Sequence, residues 1–218
     1  MKKHTLFIIL IIGIAIAIGV WRDNNNLAST QSNANVFTTL PLSVGTALPQ
    51  PHKLPAFNLI DTDGKPFSNE ALKDRWSFLF FGYSQCPGVC PATLGVMDQI
   101  SAKLGNHHNV QFIFVSIDPE NDTPQALKKF LQQDKFQKTP FVGLTGDKDN
   151  VAMLAKKVGI HVADEQKLPI SKEHIEHGGA ILLVNPEGKL MAIFTTTDKP
   201  NAIVRDFKEI VHYYVNAV

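Results

Sequence analysis

WSFLFFGYSQCPGVCP, residues 76–91, joins an apolar strand to the start of a helix. The aromatic-rich run from Trp76 ends at Gly82, as a buried central strand does. Beyond Pro91, apolar residues recur at steps of three and four as far as Leu104, which predicts one buried helical face. A proline suits the first turn of a helix, where its missing N–H costs nothing. Both cysteines of the chain therefore lie at a predicted strand-to-helix junction.

The rest of the chain repeats this alternation. The predicted elements are a strand at 110–117, a helix that Asp122-Thr123-Pro124 opens and that runs to Leu131, a strand at 141–144, a helix at about 149–158 stopped by Gly159, a hairpin of strands 180–184 and 190–195, and a last helix from Pro200. This order predicts an α/β sheet with helices on both faces. It is also the order of a thioredoxin-like fold with an inserted strand–helix unit before the hairpin.

The N-terminus predicts a membrane anchor. Lys2 and Lys3 precede an apolar run at 6–20, and no small-residue cleavage site follows it, so we expect residues 1–22 to be an uncleaved signal-anchor; a cleaved signal peptide is the alternative. By the positive-inside rule, the chain is a single-pass protein of the cytoplasmic membrane with its C-terminal domain on the extracytoplasmic (periplasmic) side. Residues 23–53, rich in Asn, Ser, Thr and Gln, predict a flexible tether, and 54–218 one folded domain.

The composition excludes several classes of protein. The 218 residues carry 21 Lys and Arg against 20 Asp and Glu, and this balance removes the electrostatic case for a nucleic-acid binder. Two cysteines cannot make a disulfide-dense scaffold or a four-cysteine zinc site. They can still form a disulfide, a redox couple or part of a metal site.

The cysteine pair, Cys86 and Cys90, carries the predicted chemistry. In helical geometry the thiols lie one turn apart on one face, and in a loop they can close a small disulfide ring. The helix N-terminus favours negative charge and is expected to lower the thiol pKa, which populates the thiolate that reacts and binds metal. An inert stabilising disulfide is the plainer alternative, although so short a ring constrains the unfolded chain little. Haem attachment is excluded, because the spacing differs and Pro91 stands in place of histidine.

Among eight histidines, His177 is distinguished by its position. It precedes the strand that begins at residue 180, and in a thioredoxin-type sheet that strand runs antiparallel beside the first one. Its start then lies next to the cysteine loop. Two thiolates and one imidazole suit copper, including Cu(I) in a three-coordinate site. His174 is the nearest competitor, while His107 and His108 are expected at the opposite end of the strands.

Four blocks of this sequence resemble the Sco/SenC family. They are FGYSQCPGVCP at 81–91, SIDPENDTP at 116–124, GLTGD at 143–147 and EHGGAILLVNPEG at 176–188. The family consists of membrane-tethered, thioredoxin-like copper proteins implicated in cytochrome c oxidase assembly. The resemblance extends over residues 54–218 and implies that Cys86, Cys90 and His177 are copper ligands.

The sequence departs from the family pattern near these ligands. Members often carry Asp where Gly88 and Glu176 stand, and Ser or Thr where Gly178 stands. Carboxylates and hydroxyls near a ligand orient it and tune affinity, so these departures bear on affinity more than on ligand identity. Asp118, Glu120 and Asp122 match the family's acidic loop, where a turn and a helix cap are alternatives to a direct copper role.

Two functions follow from these residues. In the first, the chain is a copper metallochaperone that passes copper, as Cu(I) or Cu(II), from the reduced dithiol to the dinuclear centre of an oxidase subunit, with another copper chaperone or a thiol reductant as further partners. In the second, it is a thiol–disulfide oxidoreductase in which Cys86 attacks and Cys90 resolves the mixed disulfide. His177 discriminates between them, because disulfide exchange does not need it. A peroxidase is disfavoured, because Leu79 and Tyr83 stand where its motif needs Pro and Ser or Thr.

Overall fold

A computed structural model describes residues 40, 42–105, 109–133, 136, 139–160, 179–195 and 199–217 of the chain. Within these residues lies one sheet with the strand order β1-β8-β7-β4-β5-β6-β2-β3. Its strands are β1 (Thr46–Lys53), β2 (Asn58–Asp61), β3 (Pro66–Ser68), β4 (Trp76–Gly82), β5 (Val110–Ser116), β6 (Val142–Thr145), β7 (Ile181–Val184) and β8 (Lys189–Phe194). The central strands β4, β5 and β6 are parallel, while β7 pairs antiparallel with β4.

The helices begin and end at the residues that local chemistry indicates. They are α1 (Val89–Leu104), α2 (Pro124–Leu131), α3 (Lys148–Lys157) and α4 (Pro200–Ala217), with a 3₁₀ turn at Asn69–Leu72. The Thr123 hydroxyl accepts the N–H of Ala126 at 3.3 Å and so caps α2. Gly159, with a φ of 81°, follows the end of α3 in the left-handed conformation that glycine adopts readily.

Alternate residues of β4 and β5 face the two halves of the core, as a period of two requires. Leu79, Phe81, Ile113 and Val115 lie in one cluster with the buried face of α3. On the opposite face, the ring centroids of Phe78 and Phe207 of α4 are 5.3 Å apart, and those of Phe114 and Phe130 of α2 are 5.7 Å apart. The predicted arrangement of helices on both faces of an α/β sheet is therefore confirmed.

The N-terminal boundary of the folded part differs from the prediction. Residues 46–53 were expected to be tether, but they form β1, an edge strand whose Thr46 pairs with Ile193 of β8. Pro49 and Pro51 argue against a central strand, yet an edge strand tolerates proline because one side of it needs no ladder partner. The boundary at residue 54 is thus too late, and the two strands that follow, β2 and β3, also went unpredicted.

A buried carboxylate attaches this N-terminal segment to α4. Asp206, only 1% exposed, accepts the N–H groups of Ser43, Val44 and Gly45 at 2.8 Å each and the Ser43 hydroxyl at 2.7 Å. Burial opposes ionisation of this group, but the hydrogen bonds outweigh it and hold the pKa of Asp206 below its usual range. The folded part therefore includes the residues that immediately precede β1.

Among the described residues, no helix has both the length and the apolar character needed to cross a membrane. The run at 6–20 lies outside the described residues, so the predicted anchor at 1–22 remains a prediction.

Candidate metal centre

The loop that carries the first cysteine leaves β4 at Gly82 and enters α1 at Val89. The N–H of Cys86 donates to the carbonyl of Tyr83 at 3.2 Å, which closes a turn within the loop. Gly88 is the N-cap residue of α1 and offers no side-chain cap, so the first N–H groups of the helix are left for other acceptors. The predicted strand-to-helix junction is confirmed.

The two thiols are neighbours, buried and not joined in a disulfide. Cys86 is 7% exposed and Cys90, the second residue of α1, is 2% exposed. The backbone N–H of Cys90 donates to the sulfur of Cys86 at 3.3 Å. The N-terminus of α1 thus directs one of its free N–H groups at a cysteine sulfur, which is how helix N-termini hold groups of negative charge.

The environment of Cys90 differs from the sequence prediction. Burial raises the pKa of the Cys90 thiol, and a side-chain hydrogen bond between the Cys90 and Cys86 thiols acts in the same direction. The expectation that the helix N-terminus lowers the pKa is therefore wrong for this thiol. The physical reason is desolvation, because Cys90 is almost completely buried and a low-dielectric site disfavours the charged form.

Gly82 makes room for the sulfur of Cys90. A Cβ at position 82 would lie 2.8 Å from Cys90 Sγ, 3.0 Å from a ring carbon of Phe114 and 3.1 Å from one of Phe80. Both rings are fully buried and closely packed. The glycine that ends β4 is consequently the residue that admits the thiol to this place.

Of the acidic loop, one residue lies against the cysteine loop. Asp122 is fully buried, and its carboxylate accepts the N–H of Ser84 at 3.0 Å and the Ser116 hydroxyl at 2.6 Å. The helix-cap interpretation of Asp122 is therefore wrong, since Thr123 caps α2. Asp118 accepts the N–H groups of Asn121 and Asp122 through its carbonyl, in agreement with its turn interpretation. Glu120 is paired with Lys148 at 3.2 Å on the surface.

The predicted third ligand, His177, lies outside the described residues, as do His174, His107 and His108. What the structure does place is the strand that follows His177. Ile181 of β7 pairs with Phe80 of β4, two residues before Gly82. The start of β7 therefore lies beside the end of β4 from which the cysteine loop leaves. Within the described part of the chain, no three His, Cys, Asp or Glu side chains form a metal-binding group.

The donor set fits a soft metal. Two thiolates are ligands that select Cu(I) over hard cations. They come from positions held by a turn, a helix and the packing around Gly82, so the sulfur positions are determined before any metal arrives.

Comparison with known proteins gives a consistent result. A family model described as SCO1/SenC matches residues 46–212. The mitochondrial protein SCO2 of Saccharomyces cerevisiae is 32% identical over 162 residues, which cover 73% of this chain and 53% of the yeast protein. The crystal structure of yeast Sco1 with copper bound is 26% identical, has a TM-score of 0.62, and covers 77% of this chain and 98% of that one.

A second similar structure concerns redox chemistry. BsSco, described as a member of the Sco family of cytochrome c oxidase assembly proteins with an identified disulfide switch, is 27% identical with a TM-score of 0.58. The match covers 72% of this chain and 92% of BsSco. These structures confirm the predicted thioredoxin-like α/β fold.

Proposed function

This chain belongs to the SCO1/SenC family, and we propose that it is a copper metallochaperone that delivers copper to the dinuclear copper centre of cytochrome c oxidase during assembly. The observation that carries the proposal is the pair of buried, unbridged thiols at the N-terminus of α1, inside the region that matches the family model. The copper-bound yeast Sco1 supports the choice of metal.

In this proposal three side chains of the protein bind the copper ion. Cys86 and Cys90 supply thiolates and release their protons when copper binds, and His177 supplies an imidazole. The burial of both sulfurs keeps water away from Cu(I). Transfer then proceeds by ligand exchange, in which acceptor ligands replace the three donors one at a time. The disulfide form has no thiolates and cannot take part.

The alternative function is a thiol–disulfide oxidoreductase that reduces the cysteines of the acceptor. The contact between the Cys90 N–H and the Cys86 sulfur and the disulfide switch of BsSco favour this candidate. Cys86, the more exposed thiol, attacks the acceptor disulfide, and Cys90 then displaces the acceptor thiol. The acceptor gains two electrons and two protons, while Cys86 and Cys90 become a disulfide.

The setting of either activity is part of the same proposal. Residues 1–22 anchor the chain in the cytoplasmic membrane and the folded domain works on the extracytoplasmic side. There it meets the copper-accepting oxidase subunit and, as further partners, another copper chaperone or a thiol reductant.

The test is a Cu(I) titration of the full-length, reduced protein in detergent, with a competing chelator. Single variants Cys86→Ser, Cys90→Ser and His177→Ala are compared with His174→Ala, a matched control that removes an imidazole three residues from His177. We expect one copper per chain in wild type and His174→Ala, and affinity reduced by at least about 10-fold in the other three. If wild type and His177→Ala bind copper equally while the protein still reduces a disulfide substrate, the reductase function replaces the chaperone function.

A further inference from the structure

A buried carboxylate lies beneath the cysteine loop and is absent from the predicted ligand set. Asp122 is fully buried, and its oxygens accept the N–H of Ser84 at 3.3 and 3.0 Å and the Ser116 hydroxyl at 2.6 Å. Burying a carboxylate costs free energy unless its oxygens are hydrogen-bonded, and these contacts offset that cost at Asp122.

The hydrogen bonds of Asp122 join three separate segments. Ser84 belongs to the loop after β4, Ser116 is the last residue of β5, and Asp122 comes just before α2. Asp122 is held in turn, because its own N–H donates to the carbonyl of Asp118 at 2.8 Å. The Asp118 N–H donates to the Ser116 hydroxyl oxygen at 3.1 Å. The carboxylate therefore has a defined place on the rigid end of the parallel sheet.

The backbone connects Ser84, the residue that Asp122 contacts, closely to Cys86. Ser84 follows Tyr83, whose carbonyl accepts the Cys86 N–H at 3.2 Å, and it precedes Cys86 by two residues. The loop side chains at 83–85 are half-buried or exposed. The bond from the Ser84 N–H to Asp122 ties the middle of the loop to the segment that follows β5.

We propose that Asp122 is a positioning residue of the copper site, which places the Cys86 sulfur by holding the backbone at Ser84. Its oxygens accept the Ser84 N–H and the Ser116 hydroxyl, so its proposed role is to hold the protein backbone and not to bind the metal. The inference rests on the proposed function, because a defined sulfur position matters most for a protein that must hold copper and release it.

The chain offers a matched control in Asp206. This carboxylate is also buried, at 1% exposed, and also accepts backbone N–H groups, but those belong to Ser43, Val44 and Gly45 before β1. Replacing either aspartate removes a buried, hydrogen-bonded carboxylate from the same fold. Only Asp122 is connected to the cysteine loop.

The experiment compares Asp122→Ala, Asp122→Asn and Asp206→Asn in the full-length protein with two measurements. The first is Cu(I) affinity of the reduced protein. The second is the rate at which iodoacetamide alkylates Cys86 in the copper-free, reduced protein, with the site of modification found by mass spectrometry. Thermal unfolding of each variant reports stability separately. Asp122→Asn keeps one acceptor oxygen for Ser84, so it remains measurable if the alanine variant does not fold.

We expect Asp122→Ala to weaken copper binding by about 10- to 100-fold, as loss of a residue that orients a metal ligand does. Asp122→Asn should fall between this variant and wild type. Alkylation of Cys86 should become several-fold faster in Asp122→Ala, because the loop is released from the sheet, and should increase by a smaller factor in Asp122→Asn. Asp206→Asn should lose stability while its copper affinity and alkylation rate stay at the wild-type values.

Two outcomes overturn the inference. One is wild-type copper affinity and alkylation in both Asp122 variants. The other is an equal loss in Asp206→Asn, which would assign the effect to general destabilisation. Failure of the proposed function is recognised separately, because wild type itself would then bind no copper, while the alkylation rates still test whether Asp122 holds the loop.

Discussion

Replacement of Gly82 by alanine tests the packing on which the cysteine site depends. The added methyl group would lie 2.8 Å from the Cys90 sulfur and 3.0–3.1 Å from ring carbons of Phe114 and Phe80. Ordinary van der Waals contact begins near 3.4 Å, so the neighbours must move by several tenths of an ångström. The two rings are enclosed in the core, and the sulfur is therefore the atom that must yield.

The magnitude follows from two opposing effects. Overpacking a core by one methyl group costs about 1–3 kcal/mol. Replacing glycine by alanine within a regular element recovers about 0.5–1 kcal/mol of unfolded-chain entropy. The net loss for Gly82→Ala is then about 0–2.5 kcal/mol, with a midpoint near 1 kcal/mol. For a chain of this size the midpoint corresponds to a fall in Tm of about 2–4 °C.

Alanine substitutions at two other glycines serve as controls for the effect of Gly82→Ala. Gly143→Ala also overpacks, with Leu131 at 2.5 Å and Thr62 at 2.8 Å from the new Cβ, but it lies away from the cysteines. Gly95→Ala, within α1, meets nothing within 4 Å and should stabilise by about 0.5–1 kcal/mol.

Thermal unfolding and Cu(I) affinity are measured on all three proteins. We expect Gly82→Ala alone to lose copper affinity, while Gly82→Ala and Gly143→Ala both lose stability. The reasoning is refuted if Gly82→Ala keeps wild-type stability and affinity, or if Gly143→Ala loses as much copper affinity.

Two other predictions concern stability away from the cysteines. The pKa of Asp206 is lower in the folded protein than its ordinary value near 4, so its stabilising contribution is complete at neutral pH. That contribution should be lost as pH falls through the depressed folded-state pKa. Asp206→Asn should lower the free energy of unfolding by about 1–3 kcal/mol at pH 7. When this free energy is measured by urea unfolding at several pH values, it should fall less steeply toward acid pH in Asp206→Asn than in wild type. An equal fall in both proteins would contradict this. Thr123→Ala removes the cap of α2 and should cost about 1 kcal/mol in the same assay, with an unchanged midpoint as the contrary result.

Much of the central fold could be predicted because its signals are local. The run that ends at Gly82 and the helical period to Leu104 follow from spacing within a few residues of one another. The start of α2 within Asp122-Thr123-Pro124 and the stop at Gly159 depend on side chains and backbone preferences of single positions. Cys86 and Cys90 could be placed at a strand-to-helix junction for the same reason.

Other features escaped prediction because they depend on distant partners. The edge strand β1 has no clear alternation of its own and is stabilised by β8 and by Asp206, which lies 163 residues beyond Ser43. A lone carboxylate such as Asp206 shows no sign in sequence of which N–H groups it will accept.

By itself, the sequence determined the order of the central strands and helices, the position of the cysteine pair and the resemblance that led to copper. Only the tertiary structure decided that Cys90 is desolvated, that Gly82 admits its sulfur, and that Asp122 binds the loop 38 residues before it. Periodicity and capping act along the chain and can be recognised from neighbouring residues. Burial and long-range hydrogen bonding arise between segments, and they come into being only when the chain has folded.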